Sequence, residues 1–296
     1  MGLDYPNFEV IVVDNRRDPR SPFPDLAKDD RVRVIREVGR GASQARNCGI
    51  AHAMGEFVAF TDDDVVVDVN WLRDLGATFL QNPAVDGISG LALPLELRTP
   101  PQLWFEEFFG GFNKSFTTEL ISTELLAAVD EMFPYSTGRF GAGCNMAFRS
   151  SALVTKGGFD PVLGAGTLAR GGEDLALCMK QVLTGGTLIY EPRAIVRHRH
   201  RESEREFLSQ VFGYGVGLTA MFTSLIVHDP RHAWRMIRRV PGGYRLLTTP
   251  RDERSPSLNP SYPFRTYARH WSGLAYGPLA YARSAIHHAW LGRGPK

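Results

Sequence analysis

Apolar, β-branched runs alternate with polar and amphipathic stretches along the first two thirds of the chain, and each run predicts one buried element. Val10-Ile11-Val12-Val13 reads as a buried parallel strand that ends at Asp14-Asn15. A polar, proline-broken loop from Arg16 to Asp30 leads to a short second strand, Val32-Arg33-Val34-Ile35. Ser43 is placed to cap a helix over 44–54, and Gly55 to end it. Phe57 to Thr61 is the next strand. Trp71 to Gln81 is an amphipathic helix capped by Asp68 or Asn70, and 85–93 is a further strand. Residues 94–135 are irregular and rich in aromatics (Trp104, Phe105, Phe108, Phe109, Phe112, Phe116), with core packing the main expectation for the rings and an acceptor pocket the other. A strand over 140–148, a helix over 151–156, a helix over 173–183 after Gly171-Gly172, and a short strand over 188–190 complete the series. This strand, helix, strand rhythm predicts an α/β sandwich.

Beyond Arg193 the pattern becomes helix-like and basic. Phe207 to Val227 carries no charged residue over 21 positions, long enough to span a bilayer. Its Ser, Thr, Gln, Tyr and Gly residues dilute it, so a helix lying against the fold or in a membrane interface is expected rather than a span. Residues 241–265 are rich in proline and serine and read as loosely ordered.

The chain's 296 residues and net charge of +2 are ordinary for a globular protein, but the charge is unevenly spread. Residues 193–296 carry 17 Lys+Arg against 6 Asp+Glu, or +11, and residues 1–192 carry −9. An acidic front suits a cation, and a basic tail suits anionic lipid or phosphate. The tail carries no recognised nucleic-acid module, so nucleic acid is not expected as a partner. Three widely spaced cysteines, Cys48, Cys144 and Cys178, lack zinc-ligand spacing and suit a reducing compartment. The opening Met1-Gly2-Leu3-Asp4 has neither a basic start nor an apolar run, so no export signal is expected there.

Four polar clusters carry candidate chemistry. Asp62-Asp63-Asp64 ends the apolar strand 57–61 in three adjacent carboxylates. Their mutual repulsion is relieved by a hard divalent cation such as Mg2+ or Mn2+, and a solvated acidic turn is the plain alternative. Gly171-Gly172-Glu173-Asp174 opens a helix with a flexible turn and two acids, which the helix dipole alone also favours. In Arg197-His198-Arg199-His200-Arg201, strand alternation puts His198 and His200 on one face and the arginines on the other, for metal or phosphate contacts or simply a basic surface. Gly39-Arg40-Gly41-Ala42-Ser43-Gln44-Ala45-Arg46-Asn47 is a glycine turn opening a helix, suited to phosphate or sugar, or no more than a cap.

The order of these clusters decides between the readings. Strand-Asp14, Ala45-Arg46-Asn47-Cys48-Gly49-Ile50, Asp62-Asp63-Asp64, Gly141-Ala142-Gly143-Cys144-Asn145-Met146-Ala147-Phe148-Arg149, Gly157-Gly158-Phe159-Asp160, Gly172-Glu173-Asp174 and His-x-His together resemble the family 2 glycosyltransferases over about residues 5–215. The resemblance implies a GT-A fold with a mixed, mainly parallel sheet, a nucleotide-sugar donor, Mg2+ or Mn2+, and inversion at the anomeric carbon. It implies Asp174 as general base, and Asp14, Arg46, Asp62, Asn145 and Glu173 as donor-binding residues. It implies Asp64 and Asp62, completed by His198 or His200, as metal ligands. The implied acceptor is a carbohydrate or a lipid-linked sugar in envelope polysaccharide or glycolipid synthesis, at the cytoplasmic side and peripheral to the membrane through the basic tail. The implied division is a catalytic part over 1–205 and a helical extension over 206–296.

The family pattern normally opens with an earlier strand, turn and helix, whereas Tyr5-Pro6-Asn7-Phe8 leads into what matches the second strand. Open strand edges and a reduced nucleobase pocket are therefore expected, from a misassigned start codon or a degraded gene. The intact downstream motifs favour the former. Two other readings compete: a non-catalytic remnant that binds a partner or membrane, and a nucleotidyltransferase of similar fold. The Glu-Asp motif and His-x-His argue against the second.

Overall fold

A computed structural model describes residues 2–18, 28–109, 111–112, 115–126, 130, 132–239 and 264–291. Two parallel strands, β1 (Val10–Asp14) and β2 (Val32–Arg36), form a ladder of their own. β1 is half-buried rather than the fully buried strand its composition suggests, and Asp14 is its one buried residue. A second, six-stranded sheet contains β3 (Phe57–Phe60), β4 (Val65–Val67), β5 (Gly87–Pro94), β6 (Glu119–Ile121), β7 (Met146–Arg149) and β8 (Leu188–His198). Its order is β3-β7-β5-β8-β4, with β6 also paired to β8. The expected mixed α/β sheet is present, but it is not mainly parallel. β5 and β8 run parallel, while β3/β7, β5/β7, β4/β8 and β6/β8 are antiparallel. Hydrophobic runs carry no direction, and the short strands β4, β6 and β7 enter the sheet from turns rather than through crossover helices.

The helices cover this sheet. α1 (Ala42–His52) starts at Gly41, whose φ of 108° places it where side chains other than glycine's are strained. Ser43 is therefore not the cap. It lies inside the helix, fully buried, and donates to the Leu163 carbonyl at 2.8 Å. The helix ends at Ala53 rather than at Gly55. α2 (Trp71–Gln81) has the expected bounds, but Asn70 caps it without a side-chain hydrogen bond. The segment expected to be irregular holds α3 (Pro100–Phe109), β6 and α4 (Thr123–Leu126). Its rings split: Phe105 is buried in the core and Phe116 is exposed, while the side chains of Phe108 and Phe109 fall outside the described residues. Residues 140–145 are a loop before β7, followed by α5 (Ser150–Lys156), and α6 (Glu173–Leu183) has the expected bounds.

The helix α7 (Glu204–His228) is long and apolar enough to cross a membrane, yet 44% of its most apolar stretch is buried within the protein. It packs against α9 (Phe264–Leu291) through glycines: a Cβ on Gly215 would sit 2.6 Å from the His270 carbonyl oxygen, and one on Gly273 would strike the Phe212 carbonyl. Between them lies α8 (Arg231–Ile237), whereas residues 241–263 of the stretch read as loosely ordered lie outside the described residues. One core cluster includes Phe60, Leu177, Met221 and Tyr281, so residues on both sides of position 205 share an interior.

The strand expected over 188–190 runs on to His198. At Gly90/Leu91 the β5–β8 register shifts, with Gly90 opposite Glu191 and Leu91 opposite Ile195. Pro192, Arg193 and Ala194 are thus left out of the ladder as a bulge, and their proline makes the strand look finished in the sequence. Asn145 fills the gap. Its amide donates to the Leu91 carbonyl at 3.0 Å and the Ala194 carbonyl at 2.8 Å, and its oxygen accepts the Trp71 indole N–H at 2.8 Å. Asn145 is fully buried. The expectation that it contacts the donor is therefore corrected: every polar atom of its side chain is engaged by the core. Asn145→Ala orphans three buried polar groups, each worth about 1–3 kcal/mol. A loss of about 3 kcal/mol or more in unfolding free energy is expected in urea titration, and a change below about 1 kcal/mol would contradict this account.

Candidate active site

The carboxyl ends of β3 and β8 and the amino-terminal turns of α1 and α6 meet at one end of the larger sheet, and their polar residues converge there. Arg46, on α1, reaches both acid motifs: its guanidinium is 2.7 Å from Glu173 and 2.9 Å from Asp62. It also lies over the Phe159 ring at 5.4 Å. Burial works against its charge, but Glu173, Asp62 and Asp174 outweigh that and raise it above the ordinary arginine value. Burial, with the charge of Asp174 beside it, pushes Glu173 above the usual carboxylate range against the pull of Arg46. α1 is fixed from behind, because Asn47 exchanges two hydrogen bonds with the Phe159 backbone at 2.8 and 2.9 Å.

Asp174 lies beside this pair. Its carboxylate accepts the Gly143 N–H at 2.9 Å and the Leu175 N–H at 2.8 Å. A Cβ on Gly143 would sit 2.5 Å from Asp174 Oδ2, so the approach requires a glycine there. Cys144 marks the middle of the acids: burial first, then Asp62, Asp174 and Asp64, push its thiol well above the usual range. All three cysteines are free thiols.

The three aspartates share their repulsion among separate partners. Asp62 faces Arg46, while Asp64 lies 3.4 Å from His198 Nε2 and 3.5 Å from Arg201. The alternation expected for the His-x-His run holds for the histidines, but Arg201 turns to the same carboxylate as His198. His198 and His200 are both buried on one side, with their Nδ1 atoms 3.2 Å apart, and Arg197 points to Asp68 at 3.6 Å. His200 Nε2 is 2.6 Å from Glu106 on α3. Assigning the His200 proton to Nε2, towards that carboxylate, makes His200 Nδ1 the acceptor of His198 Nδ1–H. His198 Nε2 is then bare and faces the Asp64 carboxylate. Burial lowers the His198 imidazole below its ordinary value in spite of Asp64. Two acceptors facing one another in this way suit a cation between them. Phe105 and Phe112 pack on the two rings, with centroids 4.5 Å from His200 and 5.1 Å from His198.

Among the described residues, no group of three or more His, Cys, Asp or Glu side chains is arranged as a metal cage. The expected set is thus divided: Asp64 and His198 face each other, Asp62 is held by Arg46, and His200 is taken by Glu106. Asp14 stands apart. Arg16 holds its carboxyl down to about 2, with Arg36 at 3.3 Å, and it bonds to none of the other candidate residues. Asn15 ties this strand end to the glycine turn through Glu37, Gly39 and Gly41. Glu106 went unnoticed in the sequence, where an acid amid aromatic residues carries no signal. Removing one partner of a buried ion pair costs about 3–5 kcal/mol. Arg46→Ala and Glu173→Ala are each expected to destabilise on that scale, and the double variant by much less than the sum, as read by a double-mutant cycle in denaturant. Additive losses would mean the pair is not coupled.

The model for glycosyl transferase family 2 matches residues 2–153. The chain is 30% identical over 176 residues to the pre-mycofactocin glycosyltransferase of Mycobacterium tuberculosis, covering 60% of this chain and 34% of that protein. It is 27% identical over 212 residues to the glucosyl-dolichyl phosphate glucuronosyltransferase of Haloferax volcanii, covering 69% and 62%. The matched part thus spans about a third of the mycobacterial relative's length. Among solved structures, the mannosyltransferase PcManGT from Pyrobaculum calidifontis, in complex with GDP-Man and Mn2+, superposes with a TM-score of 0.51 at 18% identity over 96% of this chain and 80% of that one. S. aureus TarS 1–349 superposes with 0.52 at 15% over 95% and 85%. The fold is that of the GT-A glycosyltransferases, and the chain belongs to glycosyl transferase family 2.

Proposed function

We propose that this protein moves a hexosyl group from a nucleoside-diphosphate donor to an acceptor hydroxyl, inverting the anomeric carbon, with Mg2+ or Mn2+ as cofactor. The observation that carries this reading is the gathering of Asp62, Asp64, Glu173 and Asp174 around Arg46 and Cys144 at one end of the sheet. So many carboxylates would repel a diphosphate unless a cation came with it. The facing Asp64 carboxylate and bare His198 Nε2 fit a cation held by few protein groups, because Mg2+ is commonly bound through one or two carboxylates, waters and substrate phosphates. When bound, the cation supplies charge neutralisation for the departing nucleoside diphosphate. Asp64 and His198 would hold it, with His200 and Glu106 orienting the imidazole.

Asp174 takes the acceptor proton in this reading. The two backbone N–H groups on its carboxylate fix its direction. The acceptor oxygen attacks the anomeric carbon as its proton passes to Asp174, and the bond from that carbon to the diphosphate oxygen breaks. A single displacement inverts the centre. Arg46 holds Asp62 and Glu173 in register with the donor, and Asp14, paired with Arg16 and Arg36 at the end of β1, is assigned to the nucleoside end.

The acceptor side is formed by residues 206–296, which we read as an extension resting on a membrane surface at the cytoplasmic side. Phe264, Trp271, Leu279, Ile286 and Trp290 are all exposed, and their spacing puts them on one stripe of α9, flanked by Arg265, Arg269 and Arg283. The Haloferax relative is named for a glucosyl-dolichyl phosphate, which supports a lipid-linked acceptor in envelope glycan or glycolipid synthesis.

Nucleotide sugars with Mn2+ test the transfer, read by thermal shift and by diphosphate release. Asp174→Asn should lower turnover by about 10²- to 10⁴-fold while donor-induced stabilisation persists. Asp64→Ala should remove the Mn2+-dependent part of that stabilisation. A wild-type rate no higher than that of Asp174→Asn would leave the non-catalytic reading standing. For the membrane surface, binding to anionic vesicles is expected at low salt, weakened by high salt and by Trp271→Ser/Trp290→Ser. Absence of binding at low salt would remove this part of the reading.

A further inference from the structure

Four arginines that the transfer site does not use line one cavity. Arg170 comes from the turn before α6, Arg205 from the first turn of α7, and Arg265 and Arg269 from successive turns of α9. The cavity measures about 630 Å3, and a second hollow of about 510 Å3 adjoins it, sharing Leu208, Arg265 and Arg269. Among the described residues none of the four guanidinium groups is in an ion pair, although Glu204 also lines the cavity. Four like charges and one acid around a common space leave an excess of positive charge, which an anion would balance. Guanidinium forks are suited to phosphate, which they can bind through paired hydrogen bonds.

The backbone at Arg170 adds a separate observation. Its φ of 64° is left-handed, and among the described residues it is the one non-glycine position with positive φ. Such a conformation is strained and persists where the surroundings impose it. Here it accompanies a guanidinium seated over the Phe212 ring at 5.2 Å, beside the cavity. Leu208, Phe212 and Ser209 complete the first hollow, and Ala268 and Ser272 the second. Ala268 lies on α9 between the exposed Phe264 and Trp271, so the second hollow opens beside the apolar stripe.

We infer that this cavity is the acceptor's anion site, taking a phosphate ester whose remaining part is an apolar chain. The phosphate sits among Arg170, Arg205, Arg265 and Arg269, and the chain leaves past Leu208 and Ala268 towards the stripe on α9. Arg170 belongs to the turn that leads into Glu173 and Asp174, which ties the cavity to the element that carries the proposed base. The inference rests on the reading of a lipid-linked acceptor, and it assigns that acceptor's phosphate a place in the fold.

Calorimetric titration of the full chain without donor or cation tests it, with farnesyl phosphate, farnesol and inorganic phosphate as probes. Farnesyl phosphate should bind at least about tenfold more tightly than either of the others, and Arg265→Gln/Arg269→Gln should weaken it by about tenfold or more, since charge-assisted hydrogen bonds to phosphate are among the stronger ones. Both residues are exposed on α9, and Arg205→Gln serves as an independent variant should the double variant misfold. Equal binding of farnesol would make the cavity merely apolar, and equal binding of inorganic phosphate would make it a free-anion site. Unchanged binding in the variants would place the ligand elsewhere. Each of these results overturns the inference. Thermal stabilisation by nucleotide sugar with Mn2+ is read on the same preparation. Stabilisation without farnesyl phosphate binding defeats the inference and leaves sugar transfer intact, whereas farnesyl phosphate binding without stabilisation leaves the cavity intact and defeats the transfer reading.

Discussion

One buried amide keeps β5 and β8 together where their ladder breaks. Without a partner for the Leu91 and Ala194 carbonyls, the bulge at Pro192–Ala194 would leave acceptors stranded in the core, which is costly. Asn145 supplies both donors, and Trp71 satisfies the remaining oxygen. The strand can then resume, pair with β4 and deliver His198 opposite Val65, one residue from Asp64. Gly90 makes room for the amide, since a Cβ there would collide with the Ala194 carbonyl. The facing of Asp64 and His198 therefore depends on a polar side chain that never reaches the site.

The acids around Arg46 are compatible with a stable fold because their charges are distributed. Arg46 is shared by two of them, backbone N–H groups hold Asp174, and Arg201 lies beside Asp64. Glu173 is the exception in solvation: it is buried, and its raised pKa records the strain of keeping it charged. Its guanidinium partner stiffens the junction between α1 and α6. That stiffness matters for a site whose residues come from elements distant in the sequence.

The sequence was most legible where the chemistry was local. The bounds of α2 and α6 follow from apolar spacing, and the alternation in 197–201 correctly placed both histidines on one face. It was least legible where a long-range contact overrode a local preference. Ser43 looks like a cap but is recruited by the Leu163 carbonyl, 120 residues away. Pro192 looks like the end of a strand but sits in a bulge that Asn145 repairs from the loop before β7. The helix α3 was hidden in an aromatic segment without clear periodicity, and with it Glu106, whose effect on His200 depends on tertiary placement alone. Strand direction was misjudged for a related reason: pairing partners, not runs of valine and isoleucine, decide it.

The contact of Gly217 with the Gly171-Gly172 turn joins the two halves of the molecule. A Cβ on Gly217 would lie 2.8 Å from the Gly171 carbonyl carbon, so this is backbone against backbone, with no side chain between to yield. On one side of the contact is α7, locked to α9 by glycines of the same kind; on the other is the turn that leads directly into Glu173 and Asp174. The helix pair therefore works as a lever whose short arm ends at the carboxylates. No side chain at this contact can absorb a shift of α7, so such a shift would carry the turn that holds Glu173 and Asp174 with it.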